Sequence, residues 1–256
     1  MSNIFQRRIN VWNETKQSAN LFPMPIAKKH KYDATGQIHI LYPSTKVSVA
    51  NEDSVVVGDR LLNEGLKPLV LIYADHRFSG GDVGSGRGAQ EESLFCRNNL
   101  CNGLSQAKFY PIHVDESVII QKVTVFRSLE QEDYKWLNTP FQLDFIACPG
   151  IHNPELDDNG RLNDEDATKL RIKIRCIFQV AQTYGFDSLV LGPLGCGAWR
   201  CPPLQVAQIF QEEINKHNGA FSTIVFACLE VKSSDYIVLN RNKESNFTAF
   251  TTILGS

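Results

Sequence analysis

Apolar and polar positions along this chain follow two periods. Ile9, Trp12 and Thr15 share one side of a helix predicted over Arg8–Ser18. Val47 and Val49 alternate within a strand predicted over Tyr42–Val49. A helix is expected over Asp53–Asn63, capped by Asn51 or Asp53, carrying Val55, Val56, Leu61 and Leu62 and ended by Gly65. The continuous run Leu69–Ala74 predicts a buried strand. Val118–Phe126 and Phe141–Cys148 predict two more, the second stopped by Pro149-Gly150. After a polar stretch, Leu170, Ile174, Ile177, Phe178 and Ala181 define a helix over Asp164–Tyr184. A strand Ser188–Leu191, a helix Leu204–Lys216 and a strand Thr223–Leu229 follow, and Asn246–Leu254 closes as a helix or extended tail. Strands that alternate with helices predict an α/β layered fold with a largely parallel or mixed sheet. Neither a repeat nor a linker divides residues 1–256, so one domain is expected.

Two predicted strands run into glycine-rich loops. The first loop lies in Ser79–Arg97, SGGDVGSGRGAQEESLFCR, with five glycines between Gly80 and Gly88. Strand, glycine loop and helix start form a layout that holds phosphate, because backbone N–H groups approach closely and the helix N-terminus favours negative charge. No Gly-Lys-Ser/Thr closes the loop, so it is not a Walker A, and Gly84, Gly86 and Gly88 have the wrong spacing for a dinucleotide fingerprint. Glu91 and Glu92 at its mouth read either as helix-dipole complements or as acid groups acting on a sugar attached to the phosphates. The second loop, Gly192–Pro203, contains Gly195-Cys196-Gly197-Ala198-Trp199. Ligands sit beyond the carboxyl ends of strands in open α/β sheets, so two such loops can hold a two-phosphate ligand in one crevice.

Charge narrows the classes. The 26 basic and 28 acidic residues nearly balance, which argues against a nucleic-acid or membrane surface. Lys28-Lys29-His30-Lys31 is expected to be solvated surface with no partner. No apolar run reaches the ~20 residues of a membrane span, and the N-terminus lacks an apolar secretory core. Seven cysteines without zinc spacing are expected to be free thiols in a cytoplasmic protein, or a nuclear one in a eukaryote. No metal or cofactor is expected. Cys196 reads as a small buried residue, since no histidine is placed beside it as a base.

The two loops together resemble those of microbial-type poly(ADP-ribose) glycohydrolases, which are macrodomain proteins. That family's first motif is Gly-Gly-Gly, a spacer, then Gln-Glu-Glu. Here Gly80-Gly81-Asp82, the spacer Val83–Ala89 and Gln90-Glu91-Glu92 take those places, with Asp82 in place of the third glycine. Gly195-Cys196-Gly197-Ala198-Trp199 is similar to the family's Gly-Cys-Gly-Val-Phe segment. Arg8–Thr15 resembles its early Arg…Glu-Thr helix, and Asn246 and Phe247 its terminal region. Asp75 stands where the family usually has Ser, and Ile72 lies near the place of its Asn.

The resemblance implies a three-layer α/β/α macrodomain-like fold with a mixed central sheet and an N-terminal helical extension. It implies hydrolysis of ribose–ribose O-glycosidic bonds in poly(ADP-ribose) by two carboxylates: Glu92 as general acid and then base, and Glu91 orienting the ribose. Gly80, Gly81, Asp82, Val83 and Gln90, with Gly195, Cys196, Gly197, Ala198 and Trp199, would line the substrate site. Trp199 would pack on the distal ribose; its plainer reading is core packing. The implied ligand is ADP-ribose or its polymer, including chains on modified proteins, and a monomer is expected. Two rivals stand beside this expectation. One is a macrodomain that reads ADP-ribose without cutting it. The other is a hydrolase for single ADP-ribosyl groups on protein or nucleic acid.

Overall fold

The structure is a computed structural model that describes residues 4–105, 107–230 and 245–255. Its elements are α1 (Ile4–Ser18), β1 (Ile26–Lys31), β2 (Lys46–Ala50), α2 (Ser54–Asn63), β3 (Pro68–Tyr73), α3 (Gln90–Phe95), α4 (Leu100–Leu104), β4 (Glu116–Arg127), β5 (Trp136–Cys148), α5 (Asp164–Thr183), β6 (Ser188–Leu191), α6 (Pro203–Lys216), β7 (Thr223–Ala227) and α7 (Asn246–Leu254).

The seven strands form one mixed sheet in the order β1-β4-β5-β3-β6-β7-β2. From β5 to β2 the neighbours run parallel; β4 is antiparallel to both β1 and β5. Helices cover both faces, as expected. β3 shows why its sequence is apolar throughout. Leu69 and Leu71 join the core beneath α5 and α6, while Val70 and Ile72 join the one with α2, α3 and α4. A central strand buried on both faces leaves no polar side for period two to mark.

Two elements depart from expectation. Lys28–Lys31 is not merely solvated surface: it belongs to edge strand β1, paired with β4. Lys29 reaches Glu116 at 3.1 Å and Lys31 reaches Asp115 at 3.2 Å. Lysines along an edge oppose further strand pairing, so this edge carries a charged pattern that reads as surface. The five-residue α4 is too short to show a period. At the C-terminal end, α7 is a helix, with Ser245 Oγ accepting from Thr248 N–H at 3.0 Å.

Candidate active site

The parallel order places the C-terminal ends of β5, β3 and β6 side by side. The loops that follow them are 149–163, 74–89 and 192–202. The loop after β3 folds back at once, because Asp75 Oδ1 accepts from the N–H groups of Arg77 (2.6 Å) and Phe78 (2.9 Å). Such a side-chain turn is what Asp supplies at a loop start.

α3 then returns three polar side chains to this loop. Gln90 is fully engaged with the strand end. Its Oε1 accepts from Tyr73 N–H (2.9 Å), and its Nε2 donates to Leu71 O (2.8 Å) and Ser54 Oγ (3.2 Å). It locks the start of α3 to β3 and α2. Glu91 spans the loop: Oε2 accepts from Asp75 N–H at 2.7 Å and Oε1 from Gly80 N–H at 3.0 Å. Glu92 Oε1 accepts from Asp82 N–H at 3.1 Å. The other oxygen of Glu92, Oε2, is buried without a hydrogen-bond partner.

The glycines make this seating possible. Gly80 and Gly81 have φ of +80° and +53°, in the left-handed region. A Cβ on Gly81 would lie 2.6 Å from Glu92 Oε1, and one on Gly80 would lie 2.7 Å from the Phe95 ring. Asp82 needs no such freedom, with φ −106°. Its carboxylate lies at the surface, bonded to Ser85 Oγ and 3.7 Å from Arg87 Nε. Val83 faces the core. The N–H groups of Gly80, Gly81, Asp82 and Val83 all have acceptors within this segment. The loop therefore seats the two carboxylates and spends its own donors doing so.

The second loop is the opposite case. The N–H groups of Gly197, Ala198 and Trp199 have no acceptor among the described residues. Space is open where a Gly197 side chain would stand. Three successive donors of this kind suit a phosphate. Cys196 is wholly buried, with Sγ 3.7 Å from Leu194 O. Burial pushes its thiol well above the usual range, which leaves it inert.

Trp199 is not core. Its ring stands edge-on to His76 (centroids 5.8 Å) and to His152 (5.1 Å), and the two histidine rings are 5.3 Å apart. Each ring comes from a different one of the three loops. Gly150 brings the β5 loop in: a Cβ there would lie 2.7 Å from Gly195 Cα. Sequence spacing carries no sign of this cluster, because its members are drawn together only by the strand order.

The N-terminal helix supports the first loop from outside. Arg8 forms a two-pronged bridge to Glu130 at 2.8 and 2.9 Å, and its Nη1 lies 3.4 Å from Gly86 O. Thr15 Oγ1 donates to Cys96 O at the end of α3, at 2.8 Å.

Burial sets the electrostatics. Glu91 is 3% exposed and Glu92 8%. Desolvation raises both carboxyls above the ordinary glutamate range, Glu91 by more, against the pull of the backbone N–H bonds. Glu92 is raised further by the charges of Asp82 and Asp75. A buried carboxyl with a raised pKa and one oxygen unclaimed is equipped to give and take a proton. No group of three His, Cys, Asp or Glu side chains suited to a metal occurs among the described residues.

Residues 9–128 match the family model of the microbial-type PARG catalytic domain. The matched stretch includes Gly80-Gly81 and Gln90-Glu91-Glu92 and ends before the second loop. No curated protein matches the chain. Among solved structures, the poly(ADP-ribose) glycohydrolase from Thermomonospora curvata is similar at 21% identity and a TM-score of 0.78, over 97% of this chain and 100% of that one. The same enzyme bound to the inhibitor ADP-HPD gives 21% and 0.77, over 96% and 99%. The poly(ADP-ribose) glycohydrolase from Deinococcus radiodurans in complex with ADP-ribose gives 22% and 0.72, over 95% and 96%. The mixed seven-stranded sheet with its flanking helices is thus the fold of these PARG structures, beyond the stretch that the family model matches.

Proposed function

We propose that this chain is a poly(ADP-ribose) glycohydrolase, which cleaves ribose–ribose O-glycosidic bonds and releases ADP-ribose. The observation that carries the mechanism is the unpartnered, buried Oε2 of Glu92 beside the first glycine loop. The PARG-family match and the fold shared with ADP-ribose-bound glycohydrolases support the substrate.

The diphosphate of the unit being released lies on the free N–H groups of Gly197, Ala198 and Trp199. Its distal ribose lies between Trp199 and the start of α3. Glu92, protonated, gives its proton to the ribose oxygen of the departing chain as the anomeric carbon gains oxocarbenium character. The resulting carboxylate takes a proton from water, and the hydroxyl oxygen bonds to the anomeric carbon. The product is ADP-ribose and Glu92 is protonated again. Glu91 keeps the loop closed around this carbon. The bound diphosphate, a nearby dianion, raises the Glu92 carboxyl further and helps it hold its proton.

Asp82 does not oppose the diphosphate through a free carboxylate, because Ser85 and Arg87 engage it at the surface. Residues 1–256 act as one catalytic domain. All seven cysteines are free, which fits a reducing cytoplasm. Quantifying ADP-ribose released from purified polymer tests the function. Intact polymer after prolonged incubation with folded protein would refute it.

A further inference from the structure

Beyond the ring cluster of His76, His152 and Trp199 lies a cleft of about 560 Å³, on the side of the loops towards α5. His76, His113, His152, Asn163, Lys169 and Lys173 are among its lining residues. Glu155, Glu165 and Asp166 also line it. Lys169 holds Glu165 at 2.7 Å and Asp166 at 3.0 Å, so both carboxylates are drawn to one ammonium and away from Lys173.

Lys173 is different. It sits one helical turn after Lys169 and is only 3% exposed. Among the described residues no hydrogen bond or ion pair engages its ammonium. Cys148 and Cys176 are near it, but burial raises both thiols, so neither offers a thiolate. Asp115 acts on Lys173 at longer range and is itself paired with Lys31. An ammonium largely removed from water without a partner is disfavoured, and desolvation accordingly lowers the Lys173 pKa. On the same cleft, His76 Nδ1 is buried without a partner. Lys173 and His76 thus line one cavity next to the ring on which the distal ribose is placed. An anion in the cleft gives the Lys173 ammonium the partner it lacks.

We propose that this cleft seats the pyrophosphate of the leaving ADP-ribosyl unit, with Lys173 as its principal contact. The proposal rests on the glycohydrolase reading above and deepens it. Past the scissile oxygen, a polymer continues as another ADP-ribosyl unit with two phosphates, whereas a single ADP-ribosyl group on a side chain does not. The cleft therefore selects chains over single groups.

The test compares two substrates: purified polymer, and ADP-ribose with a 4-nitrophenyl ether at the anomeric carbon, whose leaving group has no phosphate. Lys173→Met, checked by thermal melting, should lower the ratio of kcat/KM for polymer to kcat/KM for the nitrophenyl substrate by about tenfold or more, the scale of one lost charge-assisted hydrogen bond. In wild type, inorganic pyrophosphate should compete with polymer at concentrations that spare the nitrophenyl substrate, an arm that needs no variant. An unchanged ratio, or pyrophosphate that inhibits both substrates alike, would overturn the proposal. Pyrophosphate that binds through Lys173 yet leaves polymer turnover untouched would mark a site for free pyrophosphate and also overturn it. Should wild type cleave neither substrate, the glycohydrolase reading fails by itself. Calorimetry with pyrophosphate in the presence of ADP-ribose then decides on the anion site: heat lost in Lys173→Met supports it, and equal heat in both proteins refutes it.

Discussion

Glu91 and Glu92 are adjacent in sequence, yet only Glu91 has both carboxyl oxygens bound. Glu91 joins Asp75 N–H to Gly80 N–H across the loop, while Glu92 leaves Oε2 without a partner. On the proposed mechanism the two glutamates therefore divide structure from chemistry. Replacing Glu91 by Gln turns one of two acceptors into a donor that faces a backbone N–H. It should lower stability by ~1–3 kcal/mol and reduce turnover by loosening the loop. Chemical denaturation of Glu91→Gln checks this, and stability equal to wild type would mean that the clamp contributes nothing.

The raised carboxyls give a pH signature with a definite sign. Their folded pKa values lie above the unfolded ones, so the folded chain holds protons that the unfolded chain has released. Stability from this source is complete below the ordinary glutamate value, about 4.3, and is lost as pH rises through the raised value. Glu92→Gln has no such proton to lose. Its melting temperature relative to wild type should be more favourable at pH 7 than at pH 4. A difference that stays flat over that range would contradict a raised Glu92. In the wild-type rate profile, the basic limb should lie above an ordinary carboxyl pKa.

Gly81 has no room for a methyl group. With φ +53° and Glu92 Oε1 2.6 Å from a Cβ position, Gly81→Ala must displace the carboxyl. The left-handed backbone adds a further ~1–2 kcal/mol. The kcat should fall at least tenfold, with ADP-ribose affinity changed less. A fall in affinity alone would place Gly81 in binding instead.

Gly197 faces open space beside three free N–H groups. Gly197→Glu adds bulk and negative charge there and should abolish ADP-ribose binding with little loss of stability. Calorimetry that shows retained affinity would count against the second loop as the phosphate seat.

Much of the scaffold was legible in the sequence, and particular residues show where legibility stopped. The run Leu69–Ala74 marks β3, and Leu170 to Ala181 mark α5, because buried strands and amphipathic helices leave apolar patterns. β1 was hidden by Lys28, Lys29 and Lys31, which edge position explains. At the site, Gln90-Glu91-Glu92 was visible as a motif, but the backbone bonds of Gln90 and Glu91 depend on how the loop folds back. His76, His152 and Trp199 are separated by scores of positions and meet only because β5, β3 and β6 are neighbours. Lys173 reads in sequence as one more polar residue of a helix, and its burial appears only once the sheet covers it.

The most direct measurement is ADP-ribose release from purified polymer by wild type and by Glu92→Gln, with ADP-ribose affinity measured on both. Release by wild type alone, with affinity retained in the variant, is the predicted result. Equal release by the two proteins would remove Glu92 from the chemistry, and binding without release by wild type would make this chain a reader of ADP-ribose.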